Sequence, residues 1–186
     1  MPGVYRAPEV TLDMEWDCKV DIWSTGTMIW DLVQDTHLFF AKREGQLNDE
    51  QHLAEIVSLM GPPPPEFLRR SKRSGQFWDE QGNWKGSIPI PEQSFEMRER
   101  EFSDIYRKLF LNFLRRVFRW VPEERPSAEE LAYDDFLMQR YYRTLKRQRV
   151  FIKSRSDMNG FVLYNPDSPT VQTRRTYRTC ILVQKR

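Results

Sequence analysis

The chain has 186 residues and a formal net charge of +2 at pH 7. Hydrophobic residues make up 39% and charged residues 30%, which indicates a globular domain and excludes a wholly disordered chain. No apolar run approaches the roughly 20 residues that span a bilayer, no secretory signal is visible, and two cysteines without a C-x-x-C pattern argue against a disulfide framework. We therefore expect an intracellular protein, in the nucleus or the cytoplasm, with no membrane partner.

The charge is distributed unevenly along the chain. Residues 139–186 carry 12 Lys/Arg and two acidic residues, a net charge of +10, whereas the preceding residues carry a net charge of −8. This asymmetry predicts two regions, an acidic body over 1–140 and a basic C-terminal tail over 141–186.

The body is predicted to be mainly α-helical, beginning with a central helix over Asp21–Val33. Its apolar residues lie around most of the helical wheel, which is typical of a helix buried on all sides. Asp21 stands at the predicted start, where a carboxylate can accept backbone N–H groups and suits the positive end of the helix.

A second helix is predicted over Asp49–Met60, where apolar residues follow the i, i+3, i+4, i+7 pattern. Asn48 or Asp49 caps its start, and Gly61 ends it. Residues 66–100 are predicted to be loop-rich, with a turn at Gln81-Gly82-Asn83. Three aromatic residues are expected to anchor this loop to the body: Phe77, Trp78 and Trp84.

Two more helices complete the predicted body. Ser103–Trp120 is amphipathic, and a capping box formed by Ser127 and Glu130 opens a fourth helix that is predicted to reach about Leu137. A basic helical stretch to about Arg149, a β-hairpin around Met158-Asn159-Gly160 and a short strand over 180–183 are predicted in the tail.

Four segments, in order, resemble motifs of protein kinases. Ala7-Pro8-Glu9 resembles the A-P-E that closes the activation segment, and Asp21–Gly26 (DIWSTG) resembles the D-x-W-S-x-G opening of the F helix. Leu53–Gly61 resembles the G helix, and Trp120–Ala128 resembles the loop whose arginine pairs with the A-P-E glutamate. The resemblance covers about residues 4–140 and implies the helical C-terminal half of a protein-kinase-like domain.

The resemblance implies roles for four residues. Glu9 would pair with Arg125 in a semi-buried ion pair, and Trp23 belongs to the F-helix motif. Asp21 bonds the catalytic-loop backbone in the family, although a plain helix cap remains an alternative here. Stretches at Met14–Ser24, His52–Val57 and Trp78–Trp84 are similar to SR-protein kinases, especially fungal members.

The activity implied by the family is phosphorylation of Ser/Thr in proteins with Mg-ATP. The 186 residues contain no G-x-G-x-x-G, no H-R-D-like segment and no D-F-G, the motifs that hold the nucleotide, the metal and the accepting hydroxyl. We therefore assign no catalytic, cofactor-binding or metal-binding residue, and we expect this chain alone to be catalytically inactive.

Other functions stay open. An acidic groove beside the G helix docks Arg/Ser-rich substrates in SR-protein kinases, and Asp49, Glu50 and Glu55 fall where such docking residues would lie. The favoured reading of these carboxylates is a helix N-terminus that attracts negative charge. The basic tail could bind nucleic acid, although a solvated helix face is the favoured reading.

A helix over Asp21–Val33 without its family partners is also expected to expose Trp23, Ile29 and Trp30, and so to promote aggregation or self-association.

Overall fold

The computed structural model describes residues 3–34 and 36–139, and these are mainly α-helical, as the sequence predicts. The predicted basic helix, hairpin, short strand and nucleic-acid segment of the tail lie outside the described residues. The helices and strands, in chain order, are α1 (Pro8–Thr11), α2 (Lys19–Val33), β1 (Lys42–Arg43), β2 (Gln46–Leu47), α3 (Asp49–Met60), α4 (Pro65–Leu68), α5 (Phe95–Arg98), α6 (Asp104–Val117) and α7 (Ala128–Ala132). Three short 3-10 turns span Gly3–Tyr5, Lys72–Gln76 and Pro122–Glu124.

Helix α2 lies in the core and packs closely against α6. A Cβ built on Gly26 would lie 2.4 Å from Cγ1 of Val117, so this glycine permits the approach of the two helices. Trp23 and Trp30 are fully buried, and Ile29 is half-buried. The expectation that these three side chains would be exposed is therefore wrong for both tryptophans.

Aromatic side chains from other segments cover the two tryptophans. Trp23 stacks on Phe39 at 5.9 Å between ring centroids and meets Phe118 edge-on at 4.8 Å. Trp30 stacks on Phe110 at 5.8 Å. The apolar side chains that α2 leaves exposed are instead Met28 and Leu32, at 49% and 77%.

Helix α3 has the bounds that the sequence predicts. The Asn48 side chain accepts the Gln51 N–H at 2.8 Å, so Asn48 is the cap of the two candidates. Gly61 follows the helix with φ +77° and ψ −178°, an extended positive-φ conformation in which glycine avoids the steric cost of a Cβ.

The loop-rich stretch folds around its aromatic residues, as predicted. Asp79 N–H donates to the Asn83 carbonyl at 2.9 Å, and Gly82 has φ +83° at this turn. Phe77 and Trp78 are buried, and the Trp78 ring meets Trp120 edge-on at 6.2 Å. Two short helices within this stretch, α4 and α5, were not predicted, because four residues carry too little periodicity to be recognised.

A small antiparallel hairpin, also not predicted, connects α2 to α3. Lys42 pairs with Leu47 and Arg43 with Gln46 across strands β1 and β2. Residues 44 and 45 form the turn with φ +53° and +80°, the positive values that a two-residue hairpin loop requires.

The last part of the body corrects one prediction. The capping box is present, since Ser127 Oγ accepts the Glu130 N–H and the Glu130 carboxylate accepts the Ser127 N–H. The helix it opens ends at Ala132, however, and a separate helical segment covers 135–139. Asp134 causes the break, because its carboxylate accepts the Phe136 N–H at 2.9 Å and pairs with Arg116 on α6.

No helix among the described residues is long and apolar enough to cross a bilayer.

Candidate functional site

A buried ion pair joins α1 to the segment that precedes α7. The guanidinium of Arg125 donates to both oxygens of Glu9, at 2.6 and 2.7 Å, and both residues are at most 2% exposed. The two residues are 116 positions apart in sequence. The contact that the motif order implied is thus present in the structure.

Arg125 uses its remaining donors on backbone carbonyls. Its Nε donates to the Arg119 carbonyl at 3.0 Å, and Nη1 also donates to the Lys19 carbonyl at 3.1 Å. The guanidinium carbon lies 5.1 Å from the centre of the Trp23 ring, within cation–π range. Since every polar atom of the pair is used internally and sealed from solvent, Glu9 and Arg125 hold the fold together and are not placed to meet a substrate.

Asp21 does not cap α2. The helix begins two residues earlier than predicted, with Cys18 at the cap position and the Asp17 carboxylate accepting the Lys19 N–H at 2.8 Å. Asp21 lies exposed in the first turn. The predicted helix-cap role of Asp21 is therefore wrong, whereas Trp23 forms part of the anchor around Arg125.

Asp49, at the start of α3, is held between two arginines. Its carboxylate oxygens accept from Arg6 and from Arg73, each at 2.6 Å. Partial burial acts to raise the pKa of Asp49, but the hydrogen bonds and charges of the two arginines outweigh it and the pKa lies below its usual value. Asp49 is therefore a carboxylate whose charge is already matched by cations of the same chain.

Glu50 and Glu55 also have partners within the chain. Glu50 accepts the Ile88 N–H at 2.8 Å and the Ser87 hydroxyl at 3.2 Å. Glu55 is 5% exposed, and one of its oxygens accepts the N–H groups of Phe40 and Ala41 at 2.9 and 3.0 Å. Glu55 is therefore withdrawn from the predicted docking set, because a buried carboxylate with these partners cannot meet a peptide.

His52 and Arg73 complete this part of the structure, and neither was predicted. The His52 ring donates through Nε2 to the Arg6 carbonyl at 2.8 Å, while Nδ1 is buried without a partner. Burial lowers the pKa of His52 to about 4, and the nearby Arg6 charge acts in the same direction. Arg73 also donates to the Thr11 carbonyl, so the α1 segment is held from two sides. Motif order could have indicated Arg6, which directly precedes A-P-E, but no local signal marks Arg73.

The site thus consists of a sealed anchor and a partly exposed cluster of Arg6, Asp49 and Arg73. It holds no nucleophile paired with a general base. Across residues 3–34 and 36–139, no three His, Cys, Asp or Glu side chains are grouped closely enough to hold a metal ion.

The family model for the protein kinase domain matches residues 3–137. A serine/threonine protein kinase of Aspergillus fumigatus is 46% identical over 138 residues, which are 74% of this chain and 35% of the relative. The Serine/threonine-protein kinase SKY1 of Saccharomyces cerevisiae is 30% identical over a match that covers 72% of this chain and 18% of the relative. SRSF protein kinase 3 of Mus musculus is 31% identical over a match that covers 72% of this chain and 24% of the relative. The chain spans about a third of the length, or less, of these curated relatives.

A crystallised kinase domain has a similar fold, with a TM-score of 0.60 at 24% sequence identity. That match covers 72% of this chain and 40% of the solved one.

Proposed function

Because this chain belongs to the protein kinase domain family, we propose that it forms the substrate-side portion of a serine/threonine protein kinase related to the SR-protein kinases. The proposed activity of the whole protein is transfer of phosphate from Mg-ATP to Ser or Thr side chains of other proteins. The observation that carries the proposal is the Glu9–Arg125 pair, buried and bidentate, between two motifs that follow one another in the family order. We further propose that the protein acts inside the cell, in the nucleus or the cytoplasm.

We propose that the 186-residue chain by itself does not transfer phosphate. Phosphoryl transfer depends on positioning and on neutralising charge at the nucleotide, and no segment of the chain resembles the loops that do this. The test is calorimetric titration of the chain with Mg-ATP, together with transfer of radiolabelled phosphate to a generic protein substrate. We expect neither saturable binding nor turnover. Stoichiometric, magnesium-dependent binding with turnover would show that the chain carries a nucleotide site of its own.

A second proposal is that the chain docks Arg/Ser-rich segments without catalysis. Two observations support it: Asp49 is a carboxylate that is only partly buried, and Glu50 lies beside it on the first turn of α3. The internal partners of both residues oppose it, because a docking arginine would have to compete with Arg6 and Arg73 for Asp49. The carboxylates are therefore expected to give weak, salt-sensitive docking.

The test of docking is titration of the chain with an (Arg-Ser)4 peptide at two salt concentrations. Asp49→Asn and Glu50→Gln together should weaken the complex by about tenfold, as expected for the loss of charge-assisted contacts. Glu44→Gln, on the exposed hairpin turn, is the matched control that removes one carboxylate elsewhere. Equal affinities of all three proteins would rule out docking at the start of α3.

A further inference from the structure

The segment 86–90, within the loop-rich stretch, is held against the first turn of α3 by Glu50. One oxygen of Glu50 accepts the Ile88 N–H at 2.8 Å, and the other accepts the Ser87 hydroxyl at 3.2 Å. The fit is close, because a Cβ built on Gly86 would lie 2.6 Å from the oxygen that binds Ile88. The Trp84 ring N–H donates to the Ile88 carbonyl at 2.8 Å. Both polar backbone groups of Ile88 therefore hold the segment in place.

Ser87 is the exposed hydroxyl of this segment, and it lies outside every helix and strand. Across residues 3–34 and 36–139, the other exposed hydroxyl residues are Thr36, Ser103 and Ser127, and none of these three donates to a carboxylate. Lys85, two positions before Ser87, is exposed as well. A protein kinase must align the accepting hydroxyl with the γ-phosphoryl group of ATP, and an exposed serine on irregular backbone permits that alignment.

We propose that Ser87 is a phosphorylation site, and that its phosphate releases the segment 86–90 from Glu50. The modifying enzyme is a second protein kinase, of the class that recognises a basic residue before the acceptor. The γ-phosphorus of ATP forms a bond to Ser87 Oγ, its bond to the ADP oxygen breaks, the hydroxyl proton passes to the base of that kinase, and ADP leaves. The proposal is independent of the phosphotransferase and docking functions proposed above.

Phosphorylation replaces a hydrogen-bond donor with an anion at this contact. The Ser87 hydroxyl donates to Glu50, whereas the ester oxygen of phosphoserine has no proton and its phosphate carries about 1.5 to 2 negative charges at pH 7. Rotation of the side chain does not remove the repulsion, because the Debye length of about 8 Å at physiological salt exceeds the reach of a serine side chain. Lys85 can neutralise at most one of these charges. The repulsion therefore acts on the Glu50 carboxylate that also holds the Ile88 N–H.

The first experiment measures whether Ser87 accepts phosphate. The 186-residue chain is incubated with Mg-ATP and a serine/threonine kinase that selects a basic residue two positions before the acceptor, and mass spectrometry locates the product. We expect Ser87 to be labelled faster than the exposed Ser103 and Ser127, and Lys85→Ala to slow labelling of Ser87 by about tenfold. Labelling of Ser103 or Ser127 as fast as that of Ser87, or an unchanged rate in Lys85→Ala, overturns the assignment of the site.

The second experiment measures release of the segment, with phosphoserine installed at position 87 during synthesis of the full chain. Hydrogen exchange followed by NMR should accelerate at the Ile88 amide by at least about tenfold. The Lys85 amide, which donates to the Phe77 carbonyl at 2.9 Å, is the internal reference and should keep its rate. Ser87→Ala removes the donor without adding charge, and so should accelerate exchange much less. Equal rates at Ile88 in the phosphorylated chain and the parent contradict the proposed release.

Glu50→Gln identifies the cause of the release. The glutamine keeps an acceptor oxygen for the Ile88 N–H, but it has no charge to repel a phosphate and its amide can donate to one. The ratio of Ile88 exchange rates with and without phosphate on Ser87 should therefore fall from at least about tenfold in the parent to near one in Glu50→Gln. The same ratio in both backgrounds would show that repulsion from Glu50 does not open the segment, and the proposal fails.

Discussion

Single residues stabilise this protein chiefly through contacts that span the chain. The Glu9–Arg125 pair, at most 2% exposed, is the clearest case, because its two charges have no other means of neutralisation. An exposed pair such as Arg70–Glu123, with side chains 38% and 68% accessible, depends far less on its partner.

Glu9→Gln is expected to lower the free energy of unfolding by about 3–5 kcal/mol, because it leaves the Arg125 guanidinium buried without a counter-charge. Glu123→Gln, which removes the exposed partner of Arg70, should cost less than about 1 kcal/mol. Urea denaturation followed by circular dichroism measures both. A double variant, Glu9→Leu with Arg125→Met, should recover part of the loss, since it leaves no unpaired charge. A loss in Glu9→Gln no larger than that of the surface control would contradict the assignment.

His52 gives a prediction on pH. Its pKa of about 4 in the folded protein lies below the usual 6.5, so the unfolded chain binds more protons between those values. The contribution of His52 to stability is therefore complete above pH 6.5 and falls as the pH drops toward 4, by roughly 3 kcal/mol in all. Between pH 6.5 and 4, the free energy of unfolding should fall less steeply for His52→Gln than for the parent. His37→Gln is the control, because it removes the other histidine of the chain and should retain the loss that His52 causes. Parallel curves of unfolding free energy against pH for the parent and His52→Gln would contradict this prediction.

At the scale of elements, close helix packing and long-range hydrogen bonds fix the arrangement. Helices α2 and α6 touch through Gly26, and the buried Glu55 on α3 holds the backbone that leads into the hairpin. Ala41 adopts φ +52° there, an unfavourable conformation for a residue with a Cβ. The two N–H bonds from Phe40 and Ala41 to Glu55 help to offset that cost.

Gly26→Ala is expected to destabilise the protein by about 1–3 kcal/mol, although alanine favours a helix more than glycine does. The added methyl would lie 2.4 Å from Val117, so α2 and α6 would have to move apart. Gly75→Ala, whose Cβ meets no atom within 4 Å, is the control and should be close to neutral. Thermal melting of both variants measures the difference. A melting temperature for Gly26→Ala at or above that of the parent would contradict the packing argument.

Glu55→Ala should free the backbone N–H groups of Phe40 and Ala41 to exchange with solvent. Hydrogen exchange followed by NMR is expected to accelerate at these two amides by about tenfold or more, with a loss of stability of about 2–3 kcal/mol. Glu55→Gln keeps an acceptor oxygen and should show a smaller change. Exchange rates at these amides that equal those of the parent would show that Glu55 does not hold this segment.

At the scale of the whole molecule, the core is covered more completely than the sequence led us to expect. Both tryptophans of α2 are buried by aromatic side chains, so the apolar side chains that α2 offers for self-association are Met28 and Leu32. These two are four positions apart and lie on one helix face.

Met28→Gln with Leu32→Gln is expected to raise the protein concentration at which the chain begins to self-associate, because it removes this apolar patch. The free energy of unfolding should change by less than about 1 kcal/mol, since both side chains are exposed. Tyr133→Gln, at an exposed aromatic residue of another segment, is the control. Analytical ultracentrifugation over a concentration series measures the effect. Identical association of the double variant and the parent would exclude this face as the contact.

The sequence by itself determined the features whose signals lie within one or two helical turns. The bounds of α3, the Ser127–Glu130 capping box and the turn at Gly82 depend on neighbours a few residues away, which the sequence displays directly. One distant contact, between Glu9 and Arg125, was also predicted from the sequence. It came from the family resemblance, because sequence spacing alone does not show which distant residues meet.

Only the tertiary structure decided which polar side chains already have hydrogen-bond or ion-pair partners within the chain. Asp49 meets Arg6 and Arg73, which are 43 and 24 positions away, His52 meets the Arg6 carbonyl 46 positions away, and Glu55 meets the loop before the hairpin. The sequence does not distinguish a carboxylate that is free to bind a ligand from one that is already hydrogen-bonded within the protein. Burial and hydrogen-bond partners are set by segments that come together only when the chain folds. The buried hydroxyl of Ser74 is the converse case, a group whose lack of a partner appears only once everything around it is in place.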